Sequence, residues 1–261
     1  MTVKRNMSLL VALAALPLAA CGAGSTSSGA VASASSAGPA QPRAKNVILF
    51  IGDGMGVSTV TAMRIYAGQK QGQSGEEYVL PFERFEHVAL VKTYNTNAQV
   101  PDSAGTATAI HSGQKTRIGM LGVGPESPHG DCAASLQHPL PLLGEQAKER
   151  GLALGIVSTA RITHATPASV YARSPDRDWE ADSAMPTDAR AQGCPDIAAQ
   201  LVAKPFDLAL GGGKAGFFGT AKGGRRLDPS ADLPGEWAAR TGGSYVETAA
   251  ELAAAPIEKP V

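Results

Sequence analysis

One acidic residue lies at a position suited to metal binding. Asp53 stands between Gly52 and Gly54, directly after the apolar run 46–51. Flanking glycines permit tight turns and let a ligand approach the backbone closely, and a carboxylate is a good ligand for a hard cation. An ordinary strand-to-helix turn with Asp53 as the helix cap is the alternative. The motif alone leaves both interpretations open.

A serine stands at the start of a predicted helix. Asp102, Ser103 and Ala104 precede a run of small residues that predicts a helix over 104–112. A serine in this place is commonly a cap, yet the unpaired N–H groups and the helix dipole also favour a phosphate. A serine hydroxyl becomes a nucleophile only when something, such as a metal ion, lowers its pKa. Ser103 is therefore either a cap or a candidate nucleophile.

Three further polar residues follow a later predicted strand. His164 and Thr166 are two positions apart, so in an extended segment they face the same side and can line a metal site with Asp53. The alternative is a loop with a solvated histidine. Arg177 comes next, and its guanidinium group matches two phosphate oxygens. A surface ion pair is the alternative for Arg177.

Alternating strands and helices must position these residues. Apolar runs predict strands at 46–51, 87–94, 152–158 and 206–210, and helices are predicted at 57–69, 104–112, 139–150, 195–202 and 248–255. This alternation predicts an α/β fold with a doubly wound, mostly parallel sheet and helices on both faces. Ligands of such sheets bind beyond the carboxyl ends of the strands.

Overall composition excludes one class of function. The 261 residues contain 23 Lys plus Arg and 23 Asp plus Glu, so the formal charge is zero. Binding of nucleic acid through bulk positive charge is therefore excluded. Hydrophobic residues make up 43% of the chain, which is enough for a buried core.

The first 45 residues are predicted to lie outside the folded domain at 46–261. Residues 1–20 have the basic start and short apolar run of a signal peptide, and Leu18 to Cys21 resembles a lipobox, in which cleavage precedes a lipidated Cys21. An ordinary signal peptide with a chance cysteine is the alternative. Residues 21–45, rich in Gly, Ser, Ala and Pro, predict a flexible linker. We therefore expect an exported protein, lipid-anchored in the cell envelope and facing the periplasm or the outside.

Five motifs, taken in order, resemble the amino-terminal part of alkaline phosphatases. They are 46–56, 100–109, 163–168, 176–179 and 210–213, within a similarity that covers roughly residues 45–220. The resemblance implies an alkaline-phosphatase-like sheet that is incomplete in this chain. It also implies hydrolysis of phosphate monoesters through a phosphoserine, with two Zn²⁺ ions and one Mg²⁺ ion, and a homodimer.

The resemblance further implies a role for each motif residue. Ser103 is implied to be the nucleophile and a zinc ligand, and Asp102 to orient the phosphate-binding Arg177. Asp53 is implied to bridge the magnesium site and one zinc. The remaining two residues belong to the magnesium site: Thr166 is implied to ligate the ion or its water shell, and His164 to lie beside it.

The sequence departs from the family in its metal ligands. The family's remaining zinc ligands come later in the chain, whereas here no Asp-His pair occurs and no histidine follows His164. A zinc site usually has three or four protein ligands. We therefore expect a truncated form that lacks phosphatase activity on its own. The alternatives are a catalytically inactive lipoprotein fragment or a phosphomutase- or sulfatase-like member of the superfamily, the last disfavoured by the motif around Ser103.

Two cysteines remain once Cys21 is assigned to lipidation. Export implies an oxidising compartment, where Cys132 and Cys194 are free to pair, and a similar pair occurs in some alkaline phosphatases. We therefore expect a disulfide between them.

Overall fold

The computed structural model describes residues 44–261. The predicted signal peptide, Cys21 and nearly all of the linker lie outside these residues. The chain divides into two compact units, Met1–Phe50 and Ile51–Val261, and every element named below belongs to the second unit. Within the described residues, no helix combines the length and the apolar character that crossing a membrane requires.

Short helices dominate the described part of the chain. Four single turns of 3₁₀-helix, at Pro81–Arg84, Asp182–Ala184, Lys214–Gly216 and Thr220–Lys222, accompany them. The α-helices and strands, in chain order, are α1 Val57–Gln69, α2 Ser103–Ser112, α3 Cys132–Gln137, α4 Leu143–Glu149, β1 Gly155–Arg161, α5 Ala165–Ala168, α6 Thr187–Ala191, α7 Ile197–Ala203, β2 Leu208–Gly212, α8 Leu233–Thr241 and α9 Ala249–Ala254.

The two strands of the described residues form a parallel pair. Gly155 lies opposite Leu208, and the register continues until β1 becomes irregular between Val157 and Arg161. Both strands start two or three residues later than predicted. The carbonyl of Leu154, just before β1, accepts hydrogen bonds from the backbone N–H groups of Asp207 and Leu208. The α/β character and the parallel pairing are as predicted.

Two predicted strands are wrong for the described residues. Residues 46–51 and 87–94 have no regular secondary structure, and their apolar side chains are exposed, with Phe50 at 88% and Leu90 at 100%. β-branched composition favours a strand only when neighbouring backbone groups complete the hydrogen-bond ladder. The sheet of the described residues is consequently a single pair of strands rather than a wide doubly wound sheet.

Predicted helix boundaries were most in error around prolines. The helix predicted at 139–150 starts only at Leu143, because Pro139 and Pro141 disfavour helical geometry in the residues before them. The predicted helix at 104–112 starts one residue earlier, at Ser103. That shift places Ser103 inside the first turn instead of before it.

One buried core joins the strands to the helices that carry the candidate site. It contains Ala104 of α2, Ile156 of β1 and Ala165 and Ala168 of α5, together with apolar residues of α7. Alanines at these positions allow the elements to approach closely. The nucleophile candidate at the start of α2 is therefore held against the segment that follows β1.

A second core contains the disulfide between Cys132 and Cys194, whose Cα atoms are 5.9 Å apart. Trp179, 2% exposed, packs in this core. The backbone N–H of Ile197 donates to the carbonyl of Trp179 at 2.9 Å. The disulfide and the start of α7 thus support the loop that carries Arg177.

Removing the disulfide should destabilise this loop and the whole fold. The bridge closes a sequence separation of 62 residues, which corresponds to a stabilisation of roughly 4 kcal/mol in the chain-entropy model. The double variant Cys132→Ser/Cys194→Ser should therefore unfold at markedly lower denaturant concentration than the oxidised protein. An unchanged denaturation midpoint, with both thiols of the native protein free by mass analysis, would contradict this expectation.

Candidate active site

Asp102 is the N-cap of α2. Its Oδ1 atom accepts hydrogen bonds from the backbone N–H of Gly105 and from Asn95 Nδ2, both at 3.0 Å. A Cβ atom added to Gly105 would lie 2.4 Å from Asn95 Oδ1, so a side chain there would push Asn95 away. The Asp-Ser-Ala-Gly order at the helix start therefore serves packing as well as capping.

The second oxygen of Asp102 holds an arginine from a distant part of the chain. Oδ2 accepts from the backbone N–H of Gly119 at 3.0 Å and from Arg177 Nη1 at 3.0 Å. The same Nη1 group donates to Ser103 Oγ at 2.9 Å. The cap of α2 is therefore Asp102 and not Ser103. Because the serine hydroxyl is not used for capping, its oxygen is available to accept the hydrogen bond from Arg177.

The electrostatic environment keeps Asp102 ionised. Burial of its side chain, which is 17% exposed, would by itself raise the pKa. The hydrogen bonds from Gly105, Arg177 and Asn95, and the charge of Arg177, outweigh that effect and lower the pKa of Asp102 below its usual range. The carboxylate is thus a stable anionic partner for the guanidinium group.

Arg177 is not a surface ion pair. Its side chain is 21% exposed, and its backbone N–H donates to the carbonyl of Gly119 at 2.8 Å. Nη2 lies 3.1 Å from His164 Nε2. Because a guanidinium can only donate, Nε2 must be the acceptor. The guanidinium is thereby fixed between the serine and the histidine.

His164 and Thr166 do not face the same side. The extended segment predicted for them is wrong, because His164 is the N-cap of α5 and Thr166 lies within that helix. His164 turns to Arg177, whereas Thr166 Oγ1 donates to Asp53 Oδ2 at 2.7 Å. His164 Nδ1 is buried without a hydrogen-bond partner among residues 44–261.

The donor atoms fit Mg²⁺ better than Zn²⁺. Asp53 and Thr166 supply two adjacent oxygen atoms, and Mg²⁺ is often bound by one or two protein oxygens plus waters. Within residues 44–261, no group of three or more His, Cys, Asp and Glu side chains is arranged to hold a metal. These residues therefore do not meet the ligand requirement of zinc.

Sequence reasoning missed Glu180, whose side chain ties the loop that carries Arg177 to the segment at the end of β1. Glu180 is 6% exposed and accepts from Arg161 Nη2 at 2.7 Å and from Thr163 Oγ1 at 2.5 Å. Burial alone would raise its pKa, but the bonds from Arg161 and Thr163 outweigh it, so the pKa of Glu180 is lowered. No spacing rule singles out this glutamate; only its position three residues after Arg177 hints at a role.

Comparison with known proteins identifies the family of the chain. The model of the alkaline phosphatase family matches residues 44–260. The chain is 52% identical over 177 residues to the tissue-nonspecific isozyme of alkaline phosphatase from Gallus gallus, covering 67% of this chain and 34% of that protein. The Homo sapiens isozyme is 51% identical over 173 residues, covering 66% and 33%. The chain thus spans about a third of the length of the curated relatives it matches.

Solved structures show the same relationship. The alkaline phosphatase of Thermus thermophilus superposes with a TM-score of 0.55 at 30% identity, over 75% of this chain and 35% of that one. A cold-active alkaline phosphatase from a psychrophilic Shewanella superposes with a TM-score of 0.56 at 27% identity, over 78% and 42%. The short parallel sheet and its helices therefore correspond to part of a larger fold.

Substituting Asp102 by Asn should destabilise the protein by about 2 kcal/mol near neutral pH, because the amide places a donor against Gly119 N–H and Arg177. The folded pKa of Asp102 is lowered, so its contribution is present above the unfolded pKa and is lost as pH falls through the folded pKa. The stability difference between wild type and Asp102→Asn should therefore shrink as the pH is lowered below about 4.

A matched control is available at another helix cap. Asp131 caps α3 through the backbone N–H of Ala134 alone, and Asn is an equally good cap. Asp131→Asn should therefore be nearly neutral in denaturant titrations at each pH. If Asp102→Asn proves as stable as Asp131→Asn at neutral pH, the Asp102 carboxylate does not hold the surrounding segments together.

Proposed function

Because the chain belongs to the alkaline phosphatase family, we propose that Ser103 and Arg177 serve the hydrolysis of phosphate monoesters through a phosphoserine. The observation that carries this proposal is the position of Arg177 Nη1, which lies 2.9 Å from Ser103 Oγ and 3.0 Å from Asp102 Oδ2. A phosphate clamp and a hydroxyl nucleophile thus lie in direct contact. The activity of the whole protein is part of the proposal.

Phosphate binding follows from the charges around Ser103. The guanidinium group offers a planar pair of donors for two phosphoryl oxygens, and the N-terminus of the ten-residue helix α2 adds its positive end. Asp102 keeps the guanidinium in place and also accepts hydrogen bonds from the backbone N–H groups of Gly105 and Gly119. The clamp grips the phosphoryl group and not the leaving group, so the proposed substrates are phosphate monoesters of broad kind.

The reaction proposed for Ser103 has two displacements. In the first, Oγ bonds to phosphorus and its proton passes to solvent, while the bond to the leaving oxygen breaks and that oxygen takes up a proton from solvent to leave as the alcohol. Water then cleaves the phosphoserine, releasing inorganic phosphate and restoring the hydroxyl. Arg177 holds the equatorial oxygens in both steps and stabilises the charge that develops on them.

Metal ions are part of the proposed function. Asp53 and Thr166 would hold Mg²⁺ with several waters, and His164 would stay beside that site while it contacts Arg177. Two Zn²⁺ ions, one of them at Ser103, are proposed from the family resemblance. Bound metal would supply the positive charge that lowers the pKa of the serine hydroxyl.

A second candidate is a form that binds phosphate without turning over esters. It is favoured by the lack, within residues 44–261, of a cluster of three or more metal-ligating side chains. Purified protein supplied with Zn²⁺ and Mg²⁺ and assayed with an aryl phosphate at alkaline pH separates the two candidates. Turnover that Ser103→Ala abolishes favours the hydrolase, and phosphate binding without turnover favours the second candidate.

Location and assembly are proposed on sequence and family alone. A lipidated Cys21 would tether the domain to an envelope membrane, since two or three acyl chains give stable anchoring where one is marginal. Cys21→Ala should move the protein from the detergent phase to the aqueous phase. A wild-type protein found in the aqueous phase with residues 1–20 attached would contradict the anchor.

A homodimer is proposed from family resemblance.

Phosphate should be trapped on Ser103. We expect that incubation of a metal-loaded form that carries the family's zinc ligands with inorganic phosphate at low pH, followed by peptide mass analysis, finds phosphate on the peptide containing residues 103–112, located at Ser103. Ser103→Ala should remove the label, and Ser112→Ala, a matched change at the other end of the same helix, should retain it. Label on Thr106 or Ser112 in the wild type would overturn the assignment.

A further inference from the structure

A buried histidine outside the phosphate clamp joins α2 to α5. His111 lies in the last turn of α2 and is 6% exposed, and Ser169, directly after α5, is fully buried. His111 Nδ1 and Ser169 Oγ are 2.9 Å apart. The contact therefore connects the helix that begins at Ser103 with the helix that contains Thr166.

The direction of this hydrogen bond follows from its neighbours. Ser169 Oγ donates its proton to the carbonyl of Thr166 at 2.8 Å, so it accepts from His111 Nδ1. Burial is the largest effect on the pKa of His111 and lowers it. The ring is accordingly neutral, with its proton on Nδ1.

We propose that His111 is a positioning residue, which fixes Thr166 relative to the helix of Ser103 through the chain His111 Nδ1–H to Ser169 Oγ–H to the Thr166 carbonyl. The purpose given to this chain of hydrogen bonds rests on the proposed function, in which Thr166 and Asp53 hold Mg²⁺. The geometric claim stands on the two contacts alone. His111 touches neither Ser103 nor Arg177 and is not a catalytic residue.

The placement matters because α5 is only four residues long. A short helix has few backbone hydrogen bonds of its own and depends on outside contacts for its orientation. The apolar core that contains Ala104 and Ala165 holds it near the start of α2, and the His111–Ser169 bond holds it near the end. Losing the second attachment lets α5 rotate, and rotation moves Thr166 Oγ1 away from Asp53 Oδ2.

Three variants and one control separate positioning from general stability. Ser169→Ala and His111→Leu remove the hydrogen bond, whereas His111→Asn keeps an amide donor near the place of Nδ1. The control is Thr108→Val on the same helix. Thr108 is fully buried, donates to the Met120 carbonyl at 3.3 Å and accepts from Gly122 N–H at 3.0 Å, so its loss weakens the attachment of α2 to residues 120–122 and leaves both partners of the His111–Ser169 bond in place.

The experiment uses the full chain with ¹³C-labelled threonine methyl groups and a calorimetric titration with Mg²⁺. We expect Ser169→Ala and His111→Leu to shift the Thr166 methyl resonance and to weaken Mg²⁺ binding by about 10-fold, the scale seen when groups that orient metal ligands are removed. His111→Asn should restore most of both signals. Thr108→Val should lower the melting temperature and leave both unchanged.

Two outcomes overturn the proposal: a Thr166 methyl resonance that stays in place in Ser169→Ala and His111→Leu, or one that moves equally in Thr108→Val. A third outcome concerns the proposed function. Wild-type protein that binds no Mg²⁺, with a Thr166 resonance that still moves in Ser169→Ala, would remove the magnesium role and leave the positioning of Thr166 by His111 standing.

Discussion

A single carboxylate, that of Asp102, satisfies four hydrogen-bond donors from four separate parts of the chain. It caps α2 through Gly105, fixes the side chain of Asn95, holds the turn at Gly119 and receives Arg177. Because a buried anion is tolerated only when its oxygens are fully hydrogen-bonded, these segments must be in place together. The geometry around Ser103 is a consequence of that requirement.

Contacts on both terminal nitrogens and on the supporting loop fix the orientation of the Arg177 guanidinium. Asp102 and Ser103 hold one terminal nitrogen and His164 lies against the other, while Glu180 and the core at Trp179 support the loop behind it. A guanidinium that is already oriented loses little freedom when phosphate binds, so more of its binding energy is available for the reaction. The disulfide supports this loop from a core that lies apart from Ser103 and Arg177.

Local sequence patterns predicted the elements better than their pairing. The small residues after Asp102 predicted α2 to within one residue, and the two apolar runs after 150 that became strands were predicted with a shift of two or three residues. The runs 46–51 and 87–94 look equally strand-like, yet a strand requires a neighbour that no local pattern supplies. Composition alone could not distinguish the two cases.

The site was predictable only in part. Residues 102 and 177 lie 75 positions apart, and no spacing rule joins them; resemblance to alkaline phosphatases was needed to place Asp102, Ser103 and Arg177 together. Glu180 and His111 carry no motif, since their importance comes from burial and from partners that are remote in sequence. His164 and Thr166 have different partners, Arg177 and Asp53, because a short helix and not an extended segment follows β1.

The most direct test of the central claim is a double-mutant cycle on the affinity for inorganic phosphate, using Asp102→Asn, Arg177→Gln and the double variant. If Asp102 acts by holding Arg177, Asp102→Asn weakens phosphate binding in the wild-type background. In the Arg177→Gln background it should not weaken binding, because only the repulsion between Asp102 and phosphate is then removed. Equal weakening by Asp102→Asn in both backgrounds would contradict the account.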